Sequence, residues 1–319
     1  MNHIIVKALT TPRKKFSVLK KEEYEYKLDY LSEELVKRLK DITAQNDYNQ
    51  VNLLGIGNSI AGGWTAVDNN VNPLVNKLET FILPHSKKYN LNLDINSYVL
   101  VSKNSNKELY ETICQQDITL EDIKNQFETS FDNWKKDFKS TPFENRVDKK
   151  IAMSYYSGGN KRFSENFSTD ILTFSFLNAN TGLIADKLES LMSHKDGNIL
   201  TILSNKTRQE IITDEINYLI KIRDYILSQS NSSFLTIGNF PYISTNIGIL
   251  LNHMINDINN EIEKVSQIDR TNYYDGIRLS FFQNDNNKIK LDNHPTIEEQ
   301  YTSLVGYVDN LITVIDNNP

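Results

Sequence analysis

Apolar and polar positions change period repeatedly along the chain. Between Glu22 and Ile42, Tyr26, Leu28, Leu31, Leu35, Leu39 and Ile42 recur at helical spacing among Lys, Glu and Asp, which predicts an amphipathic helix. Both charge signs are mixed on it, so packing on the main domain is favoured over a membrane surface. Val51 to Leu54 is a short apolar run, read as a buried strand, that enters a turn where Gly55, Gly57, Gly62 and Gly63 surround Ser59. The β-rich run SYVLVS within Asp94–Ser102 predicts a second strand. Further strands are predicted at Ile151–Tyr156, Asp170–Leu177, Phe234–Gly238 and, as the last, Gly276–Phe282.

Helical patterns fill most of the intervals. One begins at Asn72-Pro73 and is expected to stop at about Leu83, before Pro84. Residues 105–140 read as two helical pieces. The second is capped by Thr119 and carries Phe127, Phe131, Trp134 and Phe138 as a core stripe. Others follow Asn180 as far as Met192, then span Thr213–Ser228 and Asn246–Val265. The final helix runs from Thr296 to about Ile315, and Thr296 with Glu299 forms a capping box at its start.

Alternating strands and helices point to an α/β fold, with a central, mainly parallel sheet covered by helices on both faces. No repeat and no Pro-, Gly- or Ser-rich linker interrupts the pattern. The simplest organisation is a catalytic domain over 49–319 with an insertion at about 94–148, preceded by an N-terminal helical extension over 1–48. The net charge of −6 argues against nucleic acid as a partner. Cys114 is the single cysteine, which excludes an intramolecular disulfide and fits a reducing compartment. No stretch has the length of a signal-peptide core or of a membrane span, so a soluble cytoplasmic protein is expected.

Candidate chemistry gathers on loops at or near strand ends. These carry Ser59, Gly158 with Gly159, Asn180 and His294. In a doubly wound sheet such loops converge on one edge, where ligands bind. Serine hydrolysis requires a nucleophile, a base, oxyanion donors and a group to orient the base. Ser59 and His294 are suited to the first two roles. The Ser59 N–H, the Gly158 or Gly159 N–H and the Asn180 amide are suited to the third. Taken singly, each has a plainer explanation: a turn serine, a turn glycine pair, a helix-capping asparagine and a loop histidine before a proline. Rival motifs fail. Ile60 occupies the third glycine position of G-x-G-x-x-G, no lysine follows the last glycine as in a P-loop, and GNSIA is not G-x-S-x-G. His3, His85, His194 and His253 lack metal-ligand spacing.

The order of these motifs resembles the SGNH (GDSL-like) hydrolase family over roughly residues 50–315: Gly57-Asn58-Ser59 early, a glycine loop in the middle, Asn178-Ala179-Asn180-Thr181 after a strand, and Asp292-Asn293-His294-Pro295 before the last helix. The resemblance implies a flavodoxin-like three-layer α/β/α sandwich and a Ser–His esterase mechanism without a cofactor or metal. It makes Ser59 the nucleophile and His294 the base, and it makes Ser59, Gly158 (or Gly159) and Asn180 the oxyanion hole. The sequence departs from the family pattern in three places. Asn58 replaces an Asp, Asn178 and Thr181 replace a Gly and an Asp, and Leu291 stands where the family acid lies, leaving Asp292 to orient His294 or a Ser–His dyad without it. The implied substrates are small O-acyl esters, including acetylated carbohydrate. Acyl transfer to a glycan and non-catalytic binding or assembly on the same fold are the alternatives.

Overall fold

The computed structural model describes residues 17–57, 60–63, 72–101, 106–115, 118–119, 162–178, 206–240, 242–243, 248–279, 282–283, 289–290 and 295–318. Five strands make the central sheet: β1 (Gln50–Gly57), β2 (Asp94–Val101), β3 (Ile171–Asn178), β4 (Ser233–Gly238) and β5 (Thr271–Tyr274). Every pairing is parallel, and the spatial order is β2-β1-β3-β4-β5. This is the flavodoxin-like order, and its switch point lies between β1 and β3. Both central strands are buried almost throughout, as strands covered on two faces must be.

Among the described residues the helices are α1 (Lys21–Gln45), α2 (Leu74–Lys88), α3 (Asn106–Tyr110), α4 (Lys206–Gln229), α5 (Gly248–Val265) and α6 (Ile297–Asn317). A π-helical turn at Glu111–Gln115 follows α3. Side-chain alternation divides the core in two. Val51 and Leu53 of β1 and Phe174 and Phe176 of β3 face α1, α2 and α6. Leu54, Ile56 and Leu177 face the opposite side, with Leu109 of α3, Leu219 and Ile222 of α4 and Ile258 of α5. The architecture is therefore the three-layer α/β/α sandwich that the alternating pattern predicts.

Helix α1 is part of the first of these cores. Its Leu28, Leu35, Val36 and Leu39 are fully buried. Tyr24 stacks on Tyr301 of α6 with centroids 4.5 Å apart. Arg38 clamps Asp316 with two hydrogen bonds, of 2.7 and 3.1 Å. The buried stripe begins at Tyr24 rather than at the expected Tyr26, which is exposed. The capping box at Thr296 forms as the sequence predicts, with Glu299 N–H donating to Thr296 Oγ1 at 3.1 Å and Thr296 N–H donating to Glu299 Oε2 at 2.9 Å.

Two expectations are corrected. Pro84 does not end α2, which continues to Lys88 with the proline inside it. Burial of Ile82 and His85 on either side of Pro84 holds the last turn on the core, which outweighs the local loss of one backbone donor. The fifth strand of the sheet is Thr271–Tyr274, not Gly276–Phe282. Among the described residues the latter stretch contributes to two-residue ladders: Arg278–Leu279 pairs in parallel with Tyr242–Ile243, and Phe282–Gln283 pairs antiparallel with Ile289–Lys290. Asp94–Val101 is an edge strand of the sheet. The predicted strand at 151–156, most of the helical stretch 119–140 and the helix predicted to Met192 lie outside the described residues.

Candidate active site

Ser59, Gly158, Gly159, Asn180, Asp292 and His294 all lie outside the described residues. The frame that carries them is described. β1 ends at Gly57, two residues before Ser59, and β3 ends at Asn178, two residues before Asn180. These strands are neighbours in register, so their carboxyl ends lie side by side at the switch point. His294 lies two residues before Thr296, the N-cap of α6.

Contact between the two strand ends is close. Gly57 has φ +146°, and a Cβ there would stand 2.7 Å from the Asn178 carbonyl oxygen and 2.8 Å from its Cβ. Only glycine fits both the conformation and the space. Downstream, Ile60–Gly63 closes a turn through a 3.0 Å bond from Gly63 N–H to the Ile60 carbonyl. Gly63, at φ +80°, lies so close to Asn72 that a Cβ would overlap its carbonyl. The chain on both sides of Ser59 is thus seated against the sheet edge and the start of α2.

Asn178 is the best-defined polar group at this edge. Its side chain is 4% exposed, and its Oδ1 accepts a 2.7 Å hydrogen bond from the Tyr307 hydroxyl. Tyr307 projects from α6, is itself buried, and packs edge-on to Phe176 at 5.1 Å and against Tyr274 at 4.4 Å. Burial pushes its phenol well above the ordinary tyrosine value, so it stays a neutral donor. Gly238 of β4 makes the bond possible: a Cβ there would stand 2.7 Å from the Tyr307 hydroxyl and 3.0 Å from Asn178 Oδ1. The other amide atom, Nδ2, is buried without a hydrogen-bond partner. Such a donor costs about 1–3 kcal/mol if nothing satisfies it.

Asn178 and Tyr307 line a cavity of ≈ 10 Å³, room for about one water or one methyl group. Its remaining walls are apolar: Gly55 and Phe176 from the sheet, Leu74, Val75 and Leu78 from α2, Ala61 from the turn and Leu304 from α6. Behind the adjoining loops, Asn239 accepts from Ile277 N–H at 2.8 Å and donates to the Phe240 carbonyl at 2.7 Å, while Asn259 of α5 pairs with both backbone groups of Phe240. The chain leaving β4 and β5 is fixed by these amides.

Solved structures to which the chain is similar include esterases and lipases. It is similar to phospholipase A1 from Streptomyces albidoflavus over 83% of this chain and 99% of that one, at 12% identity and a TM-score of 0.46. A lipase from a goat rumen metagenome gives 83% and 97% coverage, 12% identity and a TM-score of 0.43. An acetyl xylan esterase from the rumen bacterium Butyrivibrio proteoclasticus gives 83% and 64%, 12% and 0.37. No family model and no curated protein matches the sequence.

Sequence reasoning treated Asn178 as a departure flanking Asn180 and did not single out Tyr307. The position of Asn178 at the end of β3 was a usable signal, since that is where an α/β sheet presents polar groups. Its partner 129 residues away had none. Burial pushes the Cys114 thiol up to about 12, far from the thiolate that reactivity requires. Among the described residues no group of His, Cys, Asp and Glu is arranged to hold a metal ion, and no helix is long and apolar enough to cross a membrane.

Proposed function

We propose that the protein is an SGNH-type serine ester hydrolase acting on small O-acyl esters, acetylated carbohydrate among them. The observation that carries this reading is the adjacency of β1 and β3 at the switch point of a 2-1-3-4-5 parallel sheet, with Ser59 and Asn180 each two residues past a strand end. In this account His294 removes the Ser59 proton as Oγ attacks the ester carbonyl. The Ser59 and Gly158 N–H groups and the Asn180 amide donate to the oxyanion. Collapse of the tetrahedral intermediate breaks the bond to the alcohol oxygen, which takes the proton back from His294. Water, deprotonated by the same imidazole, then releases the acid and restores Ser59. Asp292 orients His294. The capping box at Thr296 supports the arrangement by fixing where α6 begins, and with it the end of the segment that bears His294.

The test is hydrolysis of p-nitrophenyl acetate. Ser59→Ala and His294→Ala each lower kcat by at least about a thousandfold, and Asn180→Ala by about a hundredfold. Wild-type rates retained in Ser59→Ala contradict the assignment.

A further inference from the structure

An acid stands in the buried stripe of α4. Ile212, Leu219, Ile222 and Ile226 recur there at helical spacing and belong to the second core. The position between Ile212 and Leu219 is Glu215, only 4% exposed. What meets it is the start of α3. Asn106 N–H donates to Glu215 Oε2 at 2.8 Å, and Asn106 Nδ2 donates to the Glu215 carbonyl oxygen at 3.2 Å. Around this pair, Leu109 of α3 and Ile113 of the π-helical turn pack on the same core, and Tyr110 lies 5.7 Å from Tyr218 of α4. Residues 106–115 are thus held to α4 by an apolar contact that encloses one ionisable group.

The charges around Glu215 do not offset it. Asp214, its neighbour on α4, has the same sign and is the one charge among the described residues that acts on it. Lys107 of α3 is 58% exposed and lies 3.8 Å from Glu111 of the π-helical turn. Lys221 of α4 sits over the rings of Tyr218 and Tyr110, at 4.7 and 5.5 Å. Glu108 of α3 is a further acid, Asp257 of α5 is exposed, and β4 contains no charged residue. A buried carboxylate without a cation is costly, whereas the neutral acid is much less so. Burial, the largest effect, pushes the Glu215 carboxyl above its usual 4.5; the Asn106 N–H bond opposes this and Asp214 adds to it.

We propose that Glu215 is a proton-operated latch on residues 106–115: the neutral acid keeps α3 and the π-helical turn seated on α4, and loss of the proton favours their release. Release returns the carboxyl to water, so the seated segment binds the proton more readily than the released one. The hold is therefore complete below about pH 4.5 and weakens as the pH rises through the value that Glu215 has in the seated state. The latch lies in the second core and is independent of the ester-hydrolase reading. The chain carries its own reporter: Cys114, its single cysteine, is half-buried in the π-helical turn and packs on the same core. While the segment is seated, burial keeps that thiol up at about 12 and slow to react, so alkylation reads the released state.

The experiment follows alkylation of Cys114 by iodoacetamide, read by intact mass, in the full chain and in Glu215→Gln. Each rate is divided by that of the same protein unfolded in urea at the same pH, which removes the intrinsic pH dependence of the thiol. Glu215→Gln keeps an acceptor for Asn106 and cannot ionise. Glu215→Met replaces it if it does not fold. In wild type the normalised rate is expected to rise at least about threefold from about pH 5 to about pH 8. In Glu215→Gln it is expected to stay level and, at about pH 8, to lie below the wild-type rate. A wild-type rate that does not rise overturns the latch. A rise of the same size in Glu215→Gln overturns it too, because the proton then acts elsewhere.

Discussion

At the scale of single residues, the sheet edge depends on side chains that are missing as much as on those present. Gly57 and Gly238 flank Asn178 on β1 and β4, and each leaves room that one methyl group would fill. Gly57→Ala meets a double obstacle, a φ of +146° and a carbonyl oxygen 2.7 Å from the new Cβ. We predict a loss of about 2–3 kcal/mol in urea denaturation. Ester hydrolysis is expected to fall further than that stability loss accounts for, because the displaced neighbour is Asn178. Hydrolysis at the wild-type rate in a folded Gly57→Ala protein would separate the strand junction from the site.

At the scale of elements, the helices on the α1, α2 and α6 face are tied by polar contacts at their exposed rims as well as by the core. Glu33 of α1 accepts from Lys88 of α2 at 2.9 Å and from the Tyr89 hydroxyl just beyond it. These bonds, the tyrosine first, hold the Glu33 carboxyl down to about 2 from its usual 4.5. A pKa lower in the folded state means that the unfolded chain binds the proton more readily. The contribution is therefore complete above about pH 4.5 and is lost as the pH falls toward about 2. Glu33→Gln should lower Tm at neutral pH, and the gap from wild type should narrow steadily below about pH 4.5. A gap that stays constant down to acid unfolding would remove the pair from the account.

The elements also show what a single sequence discloses. Helices α1, α4, α5 and α6 and strands β1, β3 and β4 are legible because each has a long periodic or continuously apolar stretch bounded by polar turns. β5 is not. Thr271-Asn272-Tyr273-Tyr274 is four residues long, half-polar and at the edge, and its pairing with β4 arises only in the assembled sheet. The persistence of α2 through Pro84 likewise follows from tertiary burial, which outweighs local propensity. In the site, the strand ends at Gly57 and Asn178, two residues before Ser59 and Asn180, are legible from the apolar runs that stop there. The Asn178–Tyr307 bond joins β3 to the last helix and has no local trace.

At the scale of the whole molecule, helix α1 belongs to the core that lies against β1 and β3. Leu28, Leu35, Val36 and Leu39 of α1 share one apolar cluster with β1, β3 and α6, and α6 carries Tyr307. Burying each such side chain contributes about 1.5–3 kcal/mol, so the four together approach the 5–15 kcal/mol that is the usual net stability of a domain. We predict that a chain beginning at residue 47 loses its cooperative thermal transition. Calorimetry showing an undiminished transition in that truncation would demonstrate that α1 is dispensable.

The proposed function requires the turn after β1 to present an activated serine. The most direct measurement is the intact mass of the full-length protein after exposure to a fluorophosphonate probe, beside Ser59→Ala and His294→Ala, with peptide mapping of any adduct. The account predicts one adduct per chain, mapped to Ser59, absent in Ser59→Ala and formed more slowly in His294→Ala. No adduct on the folded wild type, or an adduct that persists in Ser59→Ala, would contradict it.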